Sequence, residues 1–160
     1  MARAFNQMFE VDSTILDNPT DTMLATWAWY ESGDEEIWDG VQSFKQKGPR
    51  KRLSYGPPIN KHLKRAAHHV KTTWAGKKGV IQVAAQTDLN IGKYKEICLQ
   101  TVLFYQENVT INSTWMLAKM RRSQCEVDFY TFYKFTQKMA ELTGLPIGSV
   151  NVFVAATQTK

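Results

Sequence analysis

The segment over residues 98–120 restricts the fold more than any other part of the sequence. Two apolar runs, "CLQTVLFYQEN" and "INSTWMLAKMRRS", are separated only by a short polar stretch around Val109. Runs of this length that are rich in β-branched and aromatic residues predict strands, and a short turn between them predicts an antiparallel pair. The second run ends in two adjacent arginines and a serine, which are strongly hydrated groups at the end of a predicted buried strand.

A helix and a last strand follow this predicted pair. Apolar residues recur at helical spacing over 129–144, and "GSVNVFVAATQ" at 148–158 is typical of a strand. Gly144 is suited to end the helix. The residues that we expect to face inward from this helix are Phe132, Phe135, Met139 and Leu142.

The first half of the chain alternates between strand and helix patterns. We predict a short strand over 9–16 and then a helix from Thr20 to Gly33. The apolar stripe of this helix consists of Met23, Leu24, Trp27 and Tyr30. A second short helix over 35–44, an exposed loop over 45–58, a helix over 59–70 and a strand over 79–86 are predicted to follow. This order predicts an α+β fold, with a mostly antiparallel or mixed sheet and helices on one side.

Length and composition favour one soluble domain over residues 1–160. Apolar residues make up 43% of the 160 residues, and no segment approaches the ~20 apolar residues that cross a bilayer. The N-terminus lacks the apolar core of a signal peptide. We therefore expect an intracellular, cytoplasmic protein in which both cysteines, Cys98 and Cys125, are free thiols.

The net charge of +5 is unevenly distributed. Acidic residues cluster over 31–39, and basic residues cluster over 45–52 and 60–71. Such an excess suits a phosphorylated partner, either a nucleotide or a nucleic acid, but basic loops also serve solubility. The loop over 45–52, with Tyr55 and Trp74 nearby, would suit single-stranded nucleic acid, although no recognised binding motif accompanies it.

Two sets of residues are candidates for chemistry. Cys98 follows a charged stretch that contains Lys93 and Lys95, and nearby positive charge would activate its thiolate, although a buried inert thiol is the simpler interpretation. Cys125 has no comparable neighbours. Arg121, Arg122 and Ser123 match the hydrogen-bonding needs of a phosphate dianion, or else they are merely solvated. A second basic pair, Lys77 and Lys78, lies at the entry to another predicted strand.

A metal site is not predicted. His68 and His69 are adjacent on a predicted helix and therefore point to different faces, and no third ligand has suitable spacing.

Taken in order, the motifs resemble the thymidylate synthase family, most closely its phage-type deoxycytidylate (dCMP) hydroxymethylase branch. The motifs that carry the resemblance are "WYESG", "LSYG", "KKGVIQV", "CLQTVLFY", "INSTWMLAKMRRS", "FYKFTQKMAELTGLPIGSV" and "VNVFVAATQ". They cover nearly the whole chain. The resemblance implies the family's fold, a phage origin, and a domain that lacks the family's C-terminal part.

The resemblance also implies roles for individual residues. Cys98 matches the nucleophile that attacks C6 of the pyrimidine, so that C5 can accept a one-carbon unit from methylenetetrahydrofolate. Arg122 and Ser123 match the pair that grips the nucleotide phosphate, with Arg121 beside them. Lys77 and Lys78 match two arginines that reach the phosphate of a neighbouring subunit, which implies a homodimer built on the sheet face. Tyr55 is assigned to the base or sugar.

The sequence departs from the family pattern at several positions. Thr26 replaces the catalytic glutamate, with Glu31 and Glu35 nearby but out of register, and Leu103 replaces a glutamine. Asp128 would read the base after a shift in register, and Gln158 replaces the histidine that holds the sugar hydroxyl.

Three functions follow from these observations. The first is a deoxypyrimidine monophosphate-binding protein that transfers a one-carbon unit through Cys98, with a substitute base or a partner protein that completes the site. The second is a catalytically inactive relative that serves assembly or partner binding. The third is a basic nucleic-acid-binding module.

Overall fold

The computed structural model describes residues 3–32, 56–72, 78–82 and 99–158. The strands are β1 (Arg3–Val11), β2 (Lys78–Gln82), β3 (Leu99–Glu107), β4 (Thr110–Arg121) and β5 (Ile147–Gln158), and the helices are α1 (Asp21–Ser32), α2 (Gly56–Thr72) and α3 (Cys125–Thr143). Short 3₁₀ turns at Ser13–Leu16 and Arg122–Gln124 precede α1 and α3. The helix predicted over 35–44 lies outside the described residues.

The five strands form one mixed sheet in the order β1-β5-β4-β3-β2. The β4–β5 pair is parallel, with α3 as its connection, whereas the other three pairs are antiparallel. The antiparallel pairing of β3 with β4 and the α+β class are as predicted. Because parallel neighbours need a crossover connection, α3 must cross the sheet between β4 and β5.

Two residues with positive φ set the ends of this unit. Asn108 has a φ of +55° in the turn between β3 and β4, and asparagine tolerates this conformation better than most residues. Thr110 Oγ1 donates to the carbonyl of Glu107 at 2.9 Å, which closes the same turn. Gly144 has a φ of +72° directly after α3, as expected for the glycine that ends a helix.

The core lies between the sheet and the helices. Trp115 on β4 is fully buried and stacks on Phe132 of α3, with ring centroids 4.3 Å apart. Phe104 meets the same indole edge-on at 5.9 Å, and Trp27 of α1 meets Phe135 edge-on at 4.8 Å. These aromatic contacts join the sheet to α1 and α3. The apolar residues of the predicted strands and helices therefore form one core.

Helix α2 packs closely on β2 because Gly79 has no side chain. A Cβ at Gly79 would lie 2.6 Å from the carbonyl oxygen of Ala66, which leaves no room for one. Ile59, Leu63 and Val70 form the buried face of α2, as the helical spacing predicts. The loop prediction over 45–58 was wrong at its end, because α2 already begins at Gly56; prolines are tolerated in the first turn of a helix.

Two leucines that were predicted to face inward do not. Leu24 is 46% exposed and Leu142 is 37% exposed. On α3 the neighbouring Thr143 is buried instead, with its hydroxyl donating to the carbonyl of Met139 at 2.8 Å. Because the threonine hydroxyl is hydrogen-bonded to its own helix, it can be buried without an unpaired polar group. Thr143 can therefore take the inward position that was predicted for Leu142.

The face of the sheet that points away from the helices carries exposed apolar side chains. Met8 and Val80 are each 60% exposed, and Met116 is 40% exposed. Each alternates with neighbours on the helix-covered face, as Met116 does with buried Trp115 and Leu117. Met8, Phe153 and Met116 are register partners across three strands. Among the described residues, no helix is long and apolar enough to cross a membrane.

Candidate functional site

The candidate site lies where β4 ends and α3 begins. Arg121 is the last residue of the strand, and Arg122 and Ser123 lie in the 3₁₀ turn that leads into the helix. All three residues are exposed. Within the described part of the chain, no hydrogen bond or ion pair engages their side chains. The two guanidinium groups and the hydroxyl are therefore available to a ligand.

The start of α3 adds further positive potential beside these side chains. The first N–H groups of an α-helix have no partner within the helix and carry a partial positive charge that attracts anions. The N–H of Cys125 bonds the carbonyl of Arg122, which draws the turn against the helix. Glu126 and Asp128 lie in the first helical turn and oppose part of this potential. The arginines must therefore supply most of the attraction for a phosphate.

Asp128 is the one strongly perturbed carboxyl in the described residues. It is partly buried three residues into α3, and desolvation raises its pKa from 3.8 to about 7. Burial disfavours the charged form of a carboxyl. Near neutral pH, Asp128 therefore exists as both carboxylate and neutral acid. A group of this kind can accept or donate a hydrogen bond according to its ligand.

Cys125 belongs to this site, although sequence reasoning paired it with nothing. Desolvation, followed by the charges of Glu126 and Asp128, raises the pKa of its thiol, while Arg122 acts in the opposite direction. The thiol is therefore within electrostatic reach of both Arg122 and Asp128. Because the raised pKa keeps it protonated, it is not an activated nucleophile. The sequence could have indicated that Cys125 belongs to this site, because Cys125 lies only two residues after Ser123.

The end of β5 reaches the same place. Gln158 is the register partner of Arg121 on the neighbouring parallel strand, and it also pairs with Arg3 of β1. The structure thus brings together two predicted site residues that are 37 positions apart in sequence, although only the backbone of Gln158 is described. The buried Thr157 Oγ1, one residue before Gln158 on β5, has no hydrogen-bond partner among the described residues.

Lys78 lies at the opposite end of the sheet. Its backbone pairs with Tyr105, and Tyr105 pairs with Asn112 near the start of β4. Nine residues separate Asn112 from Arg121, which is about 30 Å at the rise of an extended strand. Lys78 and Arg122 of one chain are therefore not brought together. The predicted site residues Cys98, Tyr55 and Lys77 lie outside the described residues.

Thr26, which the sequence resemblance matches to a catalytic glutamate, is buried on α1, as is usual for a residue of the core. Glu31, at the end of the same helix, forms an ion pair with Lys138 Nζ at 3.4 Å. Lys138 lies ten residues after Asp128 on α3, or about 15 Å along the helix axis. Glu31 is therefore directed away from the candidate site, and Glu35 lies outside the described residues.

Leu103, which stands where the family has a glutamine, points away from the helices. Its neighbours Val102 and Phe104 are fully buried on the helix-covered face, so Leu103 lies on the opposite face of the sheet. It pairs there with Val80 and Thr114. Among the described residues, no group of three histidine, cysteine, aspartate or glutamate side chains is suited to hold a metal ion.

Comparison with known proteins gives matches in structure but not in sequence. No protein-family model matches the chain, and no curated protein matches its sequence. Thymidylate synthase from T4 phage matches with a TM-score of 0.70 and 12% identity, covering 97% of this chain and 66% of that one. Thermostable thymidylate synthase A from Bacillus subtilis matches with a TM-score of 0.66 and 8% identity, covering 97% and 65%.

The chain thus spans slightly less than two thirds of the length of these two synthases. Both matches involve the mixed five-stranded sheet and its helices as one unit, since they cover 97% of the chain. The chain therefore has the thymidylate synthase fold.

Proposed function

We propose that this protein binds a deoxypyrimidine monophosphate and holds its phosphate with Arg122 and Ser123. The observation that carries the proposal is that Arg122 and Ser123, directly after β4, are exposed and have no side-chain partner among the described residues, in a chain with the thymidylate synthase fold. Exposed arginines are common, but here they lie beside the positive end of a 19-residue helix. Two independent sources of positive potential thus converge on one point.

The chemistry of a phosphate dianion fits these groups. A guanidinium presents parallel N–H donors that bind two phosphate oxygens together, and a serine hydroxyl donates to a third. Arg121 is suited to a second charge-assisted contact. Gln158, paired with Arg121 through the backbone, is proposed to bond the sugar hydroxyl.

Asp128 is proposed to contact the base, with Tyr55 as a second base or sugar contact. As a carboxylate Asp128 would accept from the amino group of cytosine, and as a neutral acid it would donate to the O4 carbonyl of uracil. Because its pKa is about 7, both forms are accessible near neutral pH. We expect Asp128→Asn to weaken binding of dCMP relative to dUMP at pH 8, since the amide loses the charge that favours the cytosine amino group.

Transfer of a one-carbon unit to C5 would use Cys98 as the nucleophile that adds to C6. Methylenetetrahydrofolate would supply that unit, and in the described part of the chain we identify no set of residues suited to hold a folate. Thr26 offers no acid or base where the family has glutamate, and general acid–base catalysis typically contributes about 10²–10⁴-fold in rate. Nucleotide binding should therefore survive better than methyl or hydroxymethyl transfer.

A catalytically inactive relative is the second candidate function. It is favoured by the burial of Thr26 and by the ion pair that directs Glu31 toward Lys138. In this case the nucleotide site would serve sensing, assembly or the binding of a partner protein.

A homodimer across the uncovered sheet face is part of the proposal. Met8, Val80 and Met116 form an exposed apolar surface there, and Lys78 is too far from Arg122 of its own chain to share a phosphate. Lys77 and Lys78 of a second copy would instead approach it. Sedimentation should show a dimer that Met116→Glu converts to a monomer, whereas a monomeric wild-type protein would exclude this arrangement.

Calorimetric titration with dCMP and dUMP tests the binding proposal. We expect micromolar affinity that falls by about 10- to 100-fold in Arg122→Ala, because a hydrogen bond to a charged group contributes about 1.5–3 kcal/mol. Lys61→Ala is a matched control, since it removes one positive charge from an exposed position of α2 outside the site. No binding of either nucleotide at millimolar concentration would refute the proposal.

Tritium release from C5 of labelled dCMP and dUMP then distinguishes the two candidates. Release that requires both a folate donor and Cys98, tested with Cys98→Ala, would establish an enzyme. Binding without release would establish the inactive relative.

A further inference from the structure

The exposed face of α2 carries a row of basic side chains that the nucleotide site does not use. Its members are Lys61, Lys64, Arg65, His68 and Lys71, all of which are exposed and which follow one another at intervals of one to three residues. The 17-residue helix contains no acidic residue. Within the described residues, no ion pair engages Lys61, Lys64, Arg65 or Lys71.

This arrangement does not help α2 to form. Like charges three and four residues apart on a helix are neighbours and repel each other. Only the residues of the last turn, His69 and Lys71, interact favourably with the helix dipole. The helix is instead stabilised by its buried face, so the repulsion along the outer face is a cost that a polyanion would relieve.

The buried face also excludes insertion into a membrane. Basic amphipathic helices often lie on lipid surfaces with their apolar side inserted. Here Ile59 and Val70 are completely buried and Leu63 is 4% exposed, because that side of α2 packs against the sheet and α3. As far as the described residues show, the basic side of α2 is the side that is available to a partner.

A cavity adjoins the row. It has a volume of about 310 Å³ and is lined by Lys64, Ala67, His68, Lys71 and Leu142. The cationic side chains belong to the row itself, while Ala67 and Leu142 supply an apolar surface. The exposure of Leu142, which the helical pattern did not predict, is accounted for by its position in this wall. An apolar surface beside several cations suits a flat ring that carries a phosphate.

We propose that the outer face of α2 binds single-stranded nucleic acid, with phosphates along the row and one nucleotide in the cavity. Side chains three or four residues apart on a helix have Cβ atoms ~5–6 Å apart, which is comparable to the spacing of successive phosphates along a strand. An acidic protein segment fits less well, because protein interfaces are usually anchored by aromatic or large apolar residues, and among the described residues the exposed large apolar side chain beside the row is Leu142 of α3.

This surface is separate from the proposed nucleotide site. Leu142 lies 17 residues after Cys125 on α3, which corresponds to about 25 Å along the helix axis. The inference therefore does not depend on the proposed function, and each can fail without the other.

Fluorescence anisotropy with a labelled 20-nucleotide oligothymidylate tests the proposal at several salt concentrations. If four lysine and arginine side chains contact phosphates, the logarithm of the affinity should fall with the logarithm of salt at a slope of about −3, since each contact to a single strand contributes about −0.7. The double variant Lys64→Gln/Lys71→Gln should bind at least tenfold more weakly at low salt, with its slope reduced by about 1.4.

Two control proteins make the result specific. Lys134→Gln/Lys138→Gln removes the same charge from α3, where both ammonium groups lie over the Trp27 ring. Once thermal denaturation shows that this variant is folded, it should bind the oligonucleotide as the wild type does. Arg122→Ala should also bind it normally. Equal weakening in both lysine pairs would show a general effect of net charge and would overturn the proposal.

Competition identifies the partner class. An oligonucleotide should displace the probe at a much lower charge concentration than polyglutamate does. If polyglutamate or phosphatidylserine vesicles compete equally well, the assignment to nucleic acid is wrong. Displacement by dCMP at micromolar concentration would likewise overturn it, because the probe would then occupy the nucleotide site.

Discussion

The two ends of β4 carry polar side chains that are used in opposite ways. Near its start, Ser113 is fully buried, with its hydroxyl 2.8 Å from Thr136 Oγ1 and accepting from Trp115 Nε1 at 3.0 Å. At its far end, Arg122 and Ser123 are exposed and make no hydrogen bond or ion pair among the described residues. The first set joins the sheet to α3, whereas the second leaves its bonding capacity for a ligand.

The difference follows from the cost of burying polar groups. A buried donor or acceptor without a partner costs about 1–3 kcal/mol, so polar groups at the buried end must be paired within the fold. Exposed groups are satisfied by water and can exchange that water for a phosphate. Substitution of Ser113 should therefore affect the stability of the fold, whereas substitution of Ser123 should affect ligand binding, although both residues are serines on one connected segment.

Gly148→Ala should produce the largest effect, by disrupting the buried end. A Cβ there would overlap Asn112 Oδ1 and lie 2.6 Å from Thr110 Oγ1. Asn112 Oδ1 accepts from the N–H of Ser149 at 2.7 Å, so the clash would also break a contact between β4 and β5. We expect a loss of about 3 kcal/mol in the free energy of unfolding, measured by urea denaturation. An unchanged stability would mean that the two strands separate easily here.

Ser113→Ala compared with Ser123→Ala tests the contrast directly. Removing the Ser113 hydroxyl leaves Trp115 Nε1 without its acceptor and should lower the free energy of unfolding by about 2 kcal/mol. Removing the Ser123 hydroxyl should change stability by less than about 0.5 kcal/mol but weaken dCMP or dUMP binding several-fold. Urea denaturation and calorimetric titration of both variants provide the comparison, which fails if both lose stability equally.

Asp128→Asn should change how stability depends on pH. The pKa of Asp128 is about 7 in the folded protein and near 3.8 when unfolded, so between these values the unfolded chain loses a proton that the folded protein retains. This group therefore lowers stability as pH rises from about 4 to 7. Relative to wild type, the variant should be similar at pH 4 and more stable at pH 8 by about 2 kcal/mol, which is roughly half of the full value for this pKa difference because Asp128 is partly exposed to solvent.

Urea denaturation at both pH values measures this difference, with Glu141→Gln as a control on the same helix. A variant that is equally stable relative to wild type at pH 4 and pH 8 would show that Asp128 is not desolvated.

Gly144→Ala should give the smallest effect. The residue has a φ of +72°, and a Cβ there would meet no atom of the described residues within 4 Å. The cost is therefore only the conformational penalty of a left-handed residue, about 1 kcal/mol, and thermal denaturation should detect it. A larger loss would show that the end of α3 also determines how β5 enters beside β4. Nucleotide binding should be unaffected.

The sequence predicted the second half of the fold well. The predicted turn around Val109 and the helical spacing of Phe132, Phe135 and Met139 are local signals, and the structure confirms them. Leu142 and Leu24 were wrongly predicted to be buried. Helical periodicity shows which side of a helix faces the core, but it does not show how many residues on that side are covered by the neighbouring elements. The start of α2 at Gly56 was missed because prolines were read as loop residues.

The candidate site was only partly accessible to sequence reasoning. Arg122 and Ser123 are adjacent, so their shared role needed only the observation that a strand ends there. The pairing of Arg121 with Gln158 depends on the register of two parallel strands, and the electrostatic contact of Cys125 with Asp128 depends on where α3 begins. Neither leaves a periodic pattern in the sequence.

The sequence by itself determined the β3–β4 pair, the helix α3, the last strand β5, the α+β class and the basic residues after β4, because these depend on residues close together in the chain. The strand predicted over 9–16 was wrong in its bounds, since β1 spans Arg3–Val11 and Ser13–Leu16 form a 3₁₀ turn. Only the tertiary structure decided which polar groups are paired with one another, that Glu31 bonds Lys138 rather than facing the site, and that the cations of α2 border a cavity with Leu142. Such outcomes depend on contacts between distant segments, and those contacts are fixed by packing and strand register.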